Sequence, residues 1–179
     1  MQLSKQIILL VLHLTVYGGF FLWMGGPVLL AIGLGLVLIW VSGVDIERFE
    51  IPDAASAVLF IGGLGYVAVW PGVQVWLHLL AAILWPLVFW LVGVLYLRWR
   101  GVHGLGFGDV KLMAGIALWV GLHGAILVVL AASLSAIAVL LAFMVLQRGK
   151  IEELGKSAVA FAPFLCLSTW VVWLQGVSL

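Results

Sequence analysis

The stretch QVWLHLLAAILWPLVFWLVGVLYL, residues 74–97, has no charged residue in 24 positions. A membrane-crossing helix needs about 20 mainly apolar residues, so this stretch predicts a transmembrane helix. The rest of the chain has the same character: of its 179 residues, 66% are hydrophobic and 8% are charged. So few charges cannot solvate the surface of a water-soluble domain of this size. The sequence therefore predicts one integral-membrane domain over residues 1–179, with an all-α fold.

On both sides of this stretch, turns and short charged segments divide the chain into about seven predicted spans. Glycine and proline mark three of the breaks, at 25–27, 71–72 and 121–124. The predicted spans are 6–24, 27–44, 54–70, 74–97, 110–121, 124–146 and 157–176. The first one could be mistaken for a secretory signal, but no small-x-small cleavage site follows it. We therefore interpret residues 1–24 as a retained span.

The charged residues all fall on one side of this seven-span scheme. The N-terminus and the loops after the second, fourth and sixth spans hold all eight basic residues, which are Lys5, Arg48, Arg98, Arg100, Lys111, Arg148, Lys150 and Lys156. The seven acidic residues lie on the same side. Because basic residues are retained in the cytoplasm, we expect a cytoplasmic N-terminus. A single helix over 110–146 would move three basic residues outside, so two spans are favoured there.

The composition also limits the partners and cofactors. A net charge of +1 gives no indication of a nucleic-acid partner, and a single cysteine, Cys166, excludes a disulfide framework or a cysteine-cluster zinc site within the chain. The sequence has no nucleotide, haem or metal motif, so we expect no cofactor and no metal. The expected partners are the lipid bilayer and a protein substrate. The sequence does not determine the oligomeric state.

Two acidic clusters flank spans on the charged face. The first, DIERFEIPD, runs from Asp45 to Asp53, and the second, GFGD, runs from Gly106 to Asp109. Two carboxyl groups held close together share one proton, so one can act as a base on a water while the other acts as an acid. The same residues are equally consistent with ordinary carboxylates at helix ends.

Together, the two clusters resemble the motifs of the type IV prepilin peptidases, which are membrane aspartyl proteases of the GxGD type. The first cluster has the pattern D-x5-[IL]-P-D, and the second reads Gly106-Phe-Gly-Asp-Val-Lys-Leu112. A third segment, FAPFL at 161–165, is similar to a Gly-Pro-Phe-Leu patch in the last span of many members, with alanine where glycine is common. The resemblance covers about residues 27–170, so 1–24 would be an extra N-terminal span.

The resemblance implies that Asp45 and Asp109 are the catalytic residues. The residues that would support the two motifs are Pro52, Asp53, Gly106, Gly108 and Lys111. Among these, we expect Asp53 to cap the third span and Lys111 to point to lipid headgroups. Four acidic residues are candidate contacts for a basic leader peptide, with solvated loop charges as the alternative: Glu47, Glu50, Glu152 and Glu153.

The helix ends suggest how the two aspartates divide the shared proton. Asp45 follows the C-terminal end of a predicted helix, and Asp109 precedes the N-terminal end of another. Since the helix dipole is negative at the first position and positive at the second, we expect Asp45 to hold the proton more often.

The sequence thus predicts an aspartic endopeptidase of the inner membrane. It would remove the basic leader from type IV prepilin-like or pseudopilin-like substrates at the cytoplasmic face. The chain has no insertion with CxxC pairs, so it resembles the short form of the family, and methyltransferase activity is not implied. The alternatives are a small proton- or cation-coupled transporter or channel, a non-catalytic subunit of a pilus or secretion assembly, and a presenilin-like GxGD protease.

Overall fold

The computed structural model describes residues 2–24, 27–102, 104–146 and 160–178. These residues form six helices: α1 (Gln2–Met24), α2 (Val28–Arg48), α3 (Asp53–Val69), α4 (Val75–Arg100), α5 (Phe107–Leu146) and α6 (Ala162–Ser178). No strand occurs in the described ranges, which confirms the all-α fold. The helices α1 to α4 match four predicted spans to within a few residues. The predicted start of the last span, at 157, lies outside the described residues.

The predicted fifth and sixth spans lie in one helix, α5, which is interrupted at Gly121 with φ 69° and ψ −173°. This conformation is essentially restricted to glycine, and it falls inside the turn predicted at 121–124. The helix also begins at Phe107 rather than at 110. The sequence suggested that Asp109 precedes this helix. In the structure, Asp109 lies in the first turn of α5. The seven-span count stays a prediction.

Three helices in the described ranges are long and apolar enough to cross a membrane: Val28–Arg48, Val75–Arg100 and Phe107–Phe143. Three shorter helices are also apolar, at Ile7–Trp23, Asp53–Val69 and Ala162–Gly176. Large apolar side chains cover the outer faces of the bundle, among them Leu29, Ile83 and Leu134. Such a continuous apolar surface fits a lipid environment better than water.

Glycines bring α3 and the first part of α5 into close parallel contact. A Cβ at Gly63 would lie 2.6 Å from the Cβ of Leu118, and a Cβ at Gly115 would lie 3.0 Å from the side chain of Leu59. The indole N–H of Trp119 donates to the carbonyl oxygen of Leu59 at 2.9 Å. Because the contacts advance in the same direction along both helices, α3 and α5 begin at the same end of the bundle.

The neighbouring helix α4 runs in the opposite direction beside α5. Near the start of α4, His78 donates from Nδ1 to the carbonyl oxygen of Leu118 at 2.8 Å, next to the break at Gly121. Near its end, Tyr96 packs against Gly104, where a Cβ would lie 2.4 Å from the ring. The end of α4 is therefore adjacent to the beginning of α5.

The last helix, α6, packs antiparallel to α2. The ring of Trp170 lies 3.5 Å from a Cβ position at Gly35, and Ala162 contacts Asp45. The Trp170 indole N–H also donates to the carbonyl oxygen of Tyr17 at 3.0 Å, which attaches α1. Consequently, α2 ends where α3, α5 and α6 begin, and both acidic motifs lie at that end.

Candidate active site

The first motif turns the chain from α2 into α3. Asp45 lies in the last turn of α2, with only 6% of its surface exposed. Its backbone carbonyl accepts a 2.9 Å hydrogen bond from Phe49, which ends the helix in a left-handed conformation at φ 55°. Pro52 is extended, and its carbonyl accepts a hydrogen bond from Ser56 at 3.1 Å. Pro52 therefore occupies the N-cap position of α3, and Asp53 is the first helical residue.

The second motif holds Asp109 through the backbone of Gly106. The N–H of Asp109 donates to the Gly106 carbonyl oxygen at 3.1 Å, while the Asp109 carboxyl accepts a hydrogen bond from the Gly106 N–H. A Cβ at Gly106 would lie 3.3 Å from Oδ2 of Asp109, so glycine leaves room for the carboxyl group. The contact from the Asp109 side chain to the Gly106 N–H is one half of a capping box, and it orients Asp109 from within its own motif.

Gly108 lets the two motifs approach each other. A Cβ at this position would lie 3.1 Å from the Cβ of Ile51, which precedes Pro52 in the first motif. Within the described ranges, the glycines with positive φ are Gly72, Gly101 and Gly121. The glycines of the GxGD motif are not among them. Their role in this structure is close packing rather than an unusual backbone conformation.

Asp45 and Asp109 come together at the shared end of the helices, where their carboxyl groups interact electrostatically. Cys166 on α6 is fully buried and interacts electrostatically with both. Three helices, α2, α5 and α6, thus contribute one side chain each to a single cluster. The structure brings the two predicted catalytic residues together, and their catalytic role stays a prediction.

The beginning of α6 supplies a contact that the sequence did not reveal. The backbone N–H of Ala162 donates to Oδ2 of Asp45 at 3.0 Å, across 117 residues of sequence. Asp45 therefore lies at the N-terminus of one helix as well as at the C-terminus of another. The prediction that Asp45 holds the shared proton rested on the C-terminus alone, so that argument was wrong. The similarity of FAPFL to a family patch was the one available signal of this contact.

Asp53 and Lys111 form an ion pair that connects the two motifs. No side-chain hydrogen bond caps α3, so the prediction that Asp53 caps this helix was wrong. The prediction that Lys111 points to lipid headgroups was also wrong, because its ammonium group pairs with Asp53 and lies 5.5 Å from the centre of the Phe107 ring. The pair connects the start of α3 to the start of α5.

We expect Asp53→Asn and Lys111→Met each to reduce activity less than about threefold. The Asp53 side chain is 81% exposed, and exposed ion pairs typically contribute about 0–1 kcal/mol. A double-mutant cycle on thermal unfolding in detergent measures the coupling between the two side chains, and we expect a coupling below about 1 kcal/mol. A coupling of several kcal/mol, or an inactive Asp53→Asn protein, would contradict this weak structural role.

The other acidic candidates lie at the edge of the site. Glu47 and Glu50 are both exposed, before and after the left-handed turn at Phe49. Their contact with a basic leader stays a prediction, while Glu152 and Glu153 lie outside the described residues. Within the part of the chain that the structure describes, no group of three or more His, Cys, Asp or Glu side chains could hold a metal ion.

Comparison with known proteins identifies the family of this chain. A sequence model described as the type IV leader peptidase family matches residues 32–142, a segment that includes both Asp45 and Asp109. The chain belongs to this family. The resemblance inferred from the two acidic motifs is thereby confirmed.

Individual relatives agree with the family assignment. A prepilin leader peptidase/N-methyltransferase from Xanthomonas campestris is 30% identical over 155 residues, which cover 83% of this chain and 50% of the relative. A protein of the same name from Aeromonas hydrophila is 28% identical over 87% of this chain and 52% of its own length. Another, from Burkholderia pseudomallei, is 33% identical over 78% of this chain and 44% of its own length. The chain thus spans about half the length of these curated relatives. No solved structure matches the chain.

Proposed function

We propose that this protein is a membrane aspartic endopeptidase that removes the basic leader from type IV prepilin-like substrates. The observation that carries the proposal is the meeting of Asp45 and Asp109, from two motifs far apart in sequence, in a chain of the type IV leader peptidase family. The name of the relatives also includes an N-methyltransferase. The proposal takes the peptidase activity only, since the residues that the motifs bring together are carboxylic acids.

The chemistry follows from two carboxyl groups that share one proton. The ionised group accepts a proton from a water molecule, whose oxygen attacks the scissile carbonyl carbon, and the protonated group gives its proton to the carbonyl oxygen. When the tetrahedral intermediate collapses, the leaving nitrogen takes the proton that the first group accepted, and the new hydroxyl returns a proton to the second. The two carboxyl groups return to their starting protonation states, so the cycle needs no other reactant.

The cytoplasmic face of the inner membrane is the proposed location of cleavage. Arg48 lies in the last turn of α2, and Arg98 and Arg100 lie in the last turn of α4. These basic residues are at the same end of the bundle as the two aspartates. Basic residues are typical of the cytoplasmic ends of membrane helices, which supports a cytoplasmic site within a seven-span topology. Glu47 and Glu50 at this end would meet a basic leader.

Cysteine labelling at the two ends of α4 tests this orientation. Gly72 and Val102 lie just outside α4, whose 26 residues correspond to about 39 Å of helix. We expect a membrane-impermeant thiol reagent to label Gly72→Cys in intact cells, and Val102→Cys only after the inner membrane is opened. Cys166, the natural cysteine, is buried. Labelling of both positions from the same side would refute the proposed topology.

Co-expression with a prepilin tests the activity itself. We expect the wild-type protein to convert an epitope-tagged prepilin into a shorter form, whose new N-terminus is the first residue after the basic leader. Two controls accompany it: a prepilin with its basic leader residues replaced, and cells without the enzyme. Absence of the shorter form with every type IV prepilin tested would overturn the proposed function. Proton or cation flux in liposomes that depends on both aspartates would favour a transporter instead.

A further inference from the structure

The N–H groups in the first turn of α6 can be accounted for one by one. Pro163 has no N–H, and the N–H groups of Phe164 and Leu165 donate to the carbonyl oxygen of Phe161 at 3.1 and 3.3 Å. The N–H of Ala162 has no such partner within its own helix, and it donates to Asp45. The carboxyl group of Asp45 thus takes the position that a capping side chain usually occupies at a helix start.

Both partners of this hydrogen bond are shielded from water. Ala162 is fully buried and Asp45 is 6% exposed, so water has little access to compete for the hydrogen bond. The same two helices also meet at Ser42 and Cys166, whose side chains are both fully buried and interact with each other. A buried hydrogen bond from an amide to a carboxylate is among the stronger ones in proteins.

We propose that the backbone N–H of Ala162 is a positioning group of the active site, which holds the Asp45 carboxyl in the orientation that catalysis requires. This inference rests on the proposed function. Asp109 has its own backbone donor in Gly106, so each aspartate is oriented by one amide. For Asp109 the amide belongs to its own motif, whereas for Asp45 it comes from the last helix. The site is therefore complete only when α6 has packed against α2.

An ester at this one bond tests the proposal without changing a side chain. Incorporation of lactic acid at position 162 replaces the N–H by oxygen and keeps the methyl group. The matched control places phenyllactic acid at 164, which removes an N–H from the same turn and disturbs the same Phe161 carbonyl, but not the Asp45 contact. Alanine and phenylalanine, introduced by the same method at 162 and 164, give the reference activities.

We expect the ester at 162 to lower kcat for prepilin cleavage about 10- to 100-fold, as the loss of a hydrogen bond to a charged group predicts. KM of the ester at 162 should change less than about threefold, because the substrate contacts are unaffected. The ester at 164 should keep kcat within about threefold of its reference, because it leaves the hydrogen bond to Asp45 in place. An equal loss with both esters would show a purely structural role and overturn the proposal. An unchanged kcat with the ester at 162 would also overturn it.

Infrared difference spectra separate this proposal from the proposed function. The carboxyl band of Asp45, assigned by its loss in Asp45→Asn, should shift with the ester at 162 and not with the ester at 164. This measurement needs no substrate. If wild-type protein cleaves no prepilin while the band shifts as expected, the proposed function fails and the contact stands. If cleavage occurs and the band does not shift, the positioning role fails.

Discussion

Asp45→Asn and Asp109→Asn should each abolish cleavage of a co-expressed prepilin, with a loss of at least about 10³-fold. An asparagine can neither take a proton from the attacking water nor give one to the scissile carbonyl, and removal of a general acid or base typically costs about 10²- to 10⁴-fold. The shared-proton mechanism needs both carboxyl groups. The measurement is the initial rate of conversion of prepilin to its shorter form in membranes with equal amounts of enzyme.

Asparagine is the appropriate replacement at Asp45 because its amide oxygen can still accept the hydrogen bond from Ala162. A leucine would leave that buried N–H unpaired, which costs about 1–3 kcal/mol, and would confuse instability with loss of chemistry. Asp53→Asn is the matched control, since it changes an acidic residue of the same motif that lies in an exposed ion pair. Near wild-type cleavage by either Asp45→Asn or Asp109→Asn would refute the assignment of the two catalytic residues.

The second large effect is expected at Gly121, where Gly121→Ala should destabilise the protein by about 2–6 kcal/mol. The backbone conformation is costly for any residue with a Cβ, by about 1–3 kcal/mol. A Cβ would also lie 2.8 Å from Nε2 of His78, and overpacking of this kind typically costs about 1–3 kcal/mol. Unfolding of the purified protein in detergent, followed by helical circular dichroism, measures the sum.

Two further variants separate the backbone strain from the steric contact. Gly72 has a positive φ of 84° and no atom within 4 Å of a Cβ position, so Gly72→Ala should show the backbone cost alone, about 1–2 kcal/mol. In the double variant Gly121→Ala with His78→Ala, the steric part should disappear. A Gly121→Ala protein as stable as Gly72→Ala would show that His78 does not pack tightly against the break.

The residues of the candidate site could be predicted from the sequence because each motif is local. D-x5-[IL]-P-D and GxGD are read within nine and four residues, and the family match over 32–142 covers both motifs. The sequence also indicated that the two motifs lie on one side of the membrane, because the charged residues alternate with the apolar spans. The expectations that Asp53 caps α3 and that Lys111 points to lipid headgroups were wrong for one reason: the two side chains pair with each other across 58 residues, and no local pattern predicts that pair.

What the sequence determined by itself is the all-α class, the apolar character of the helices and the end of each helix that carries charge. These properties depend on the length and composition of continuous segments, since a lipid environment requires about 20 apolar residues per span. Only the tertiary structure decided which faces meet. Helices that are apolar on every side show no stripe that marks the buried face. The contact of Ala162 with Asp45 and the packing of Gly108 on Ile51 therefore depend on how close the helix backbones can approach, which is a property of the folded bundle alone.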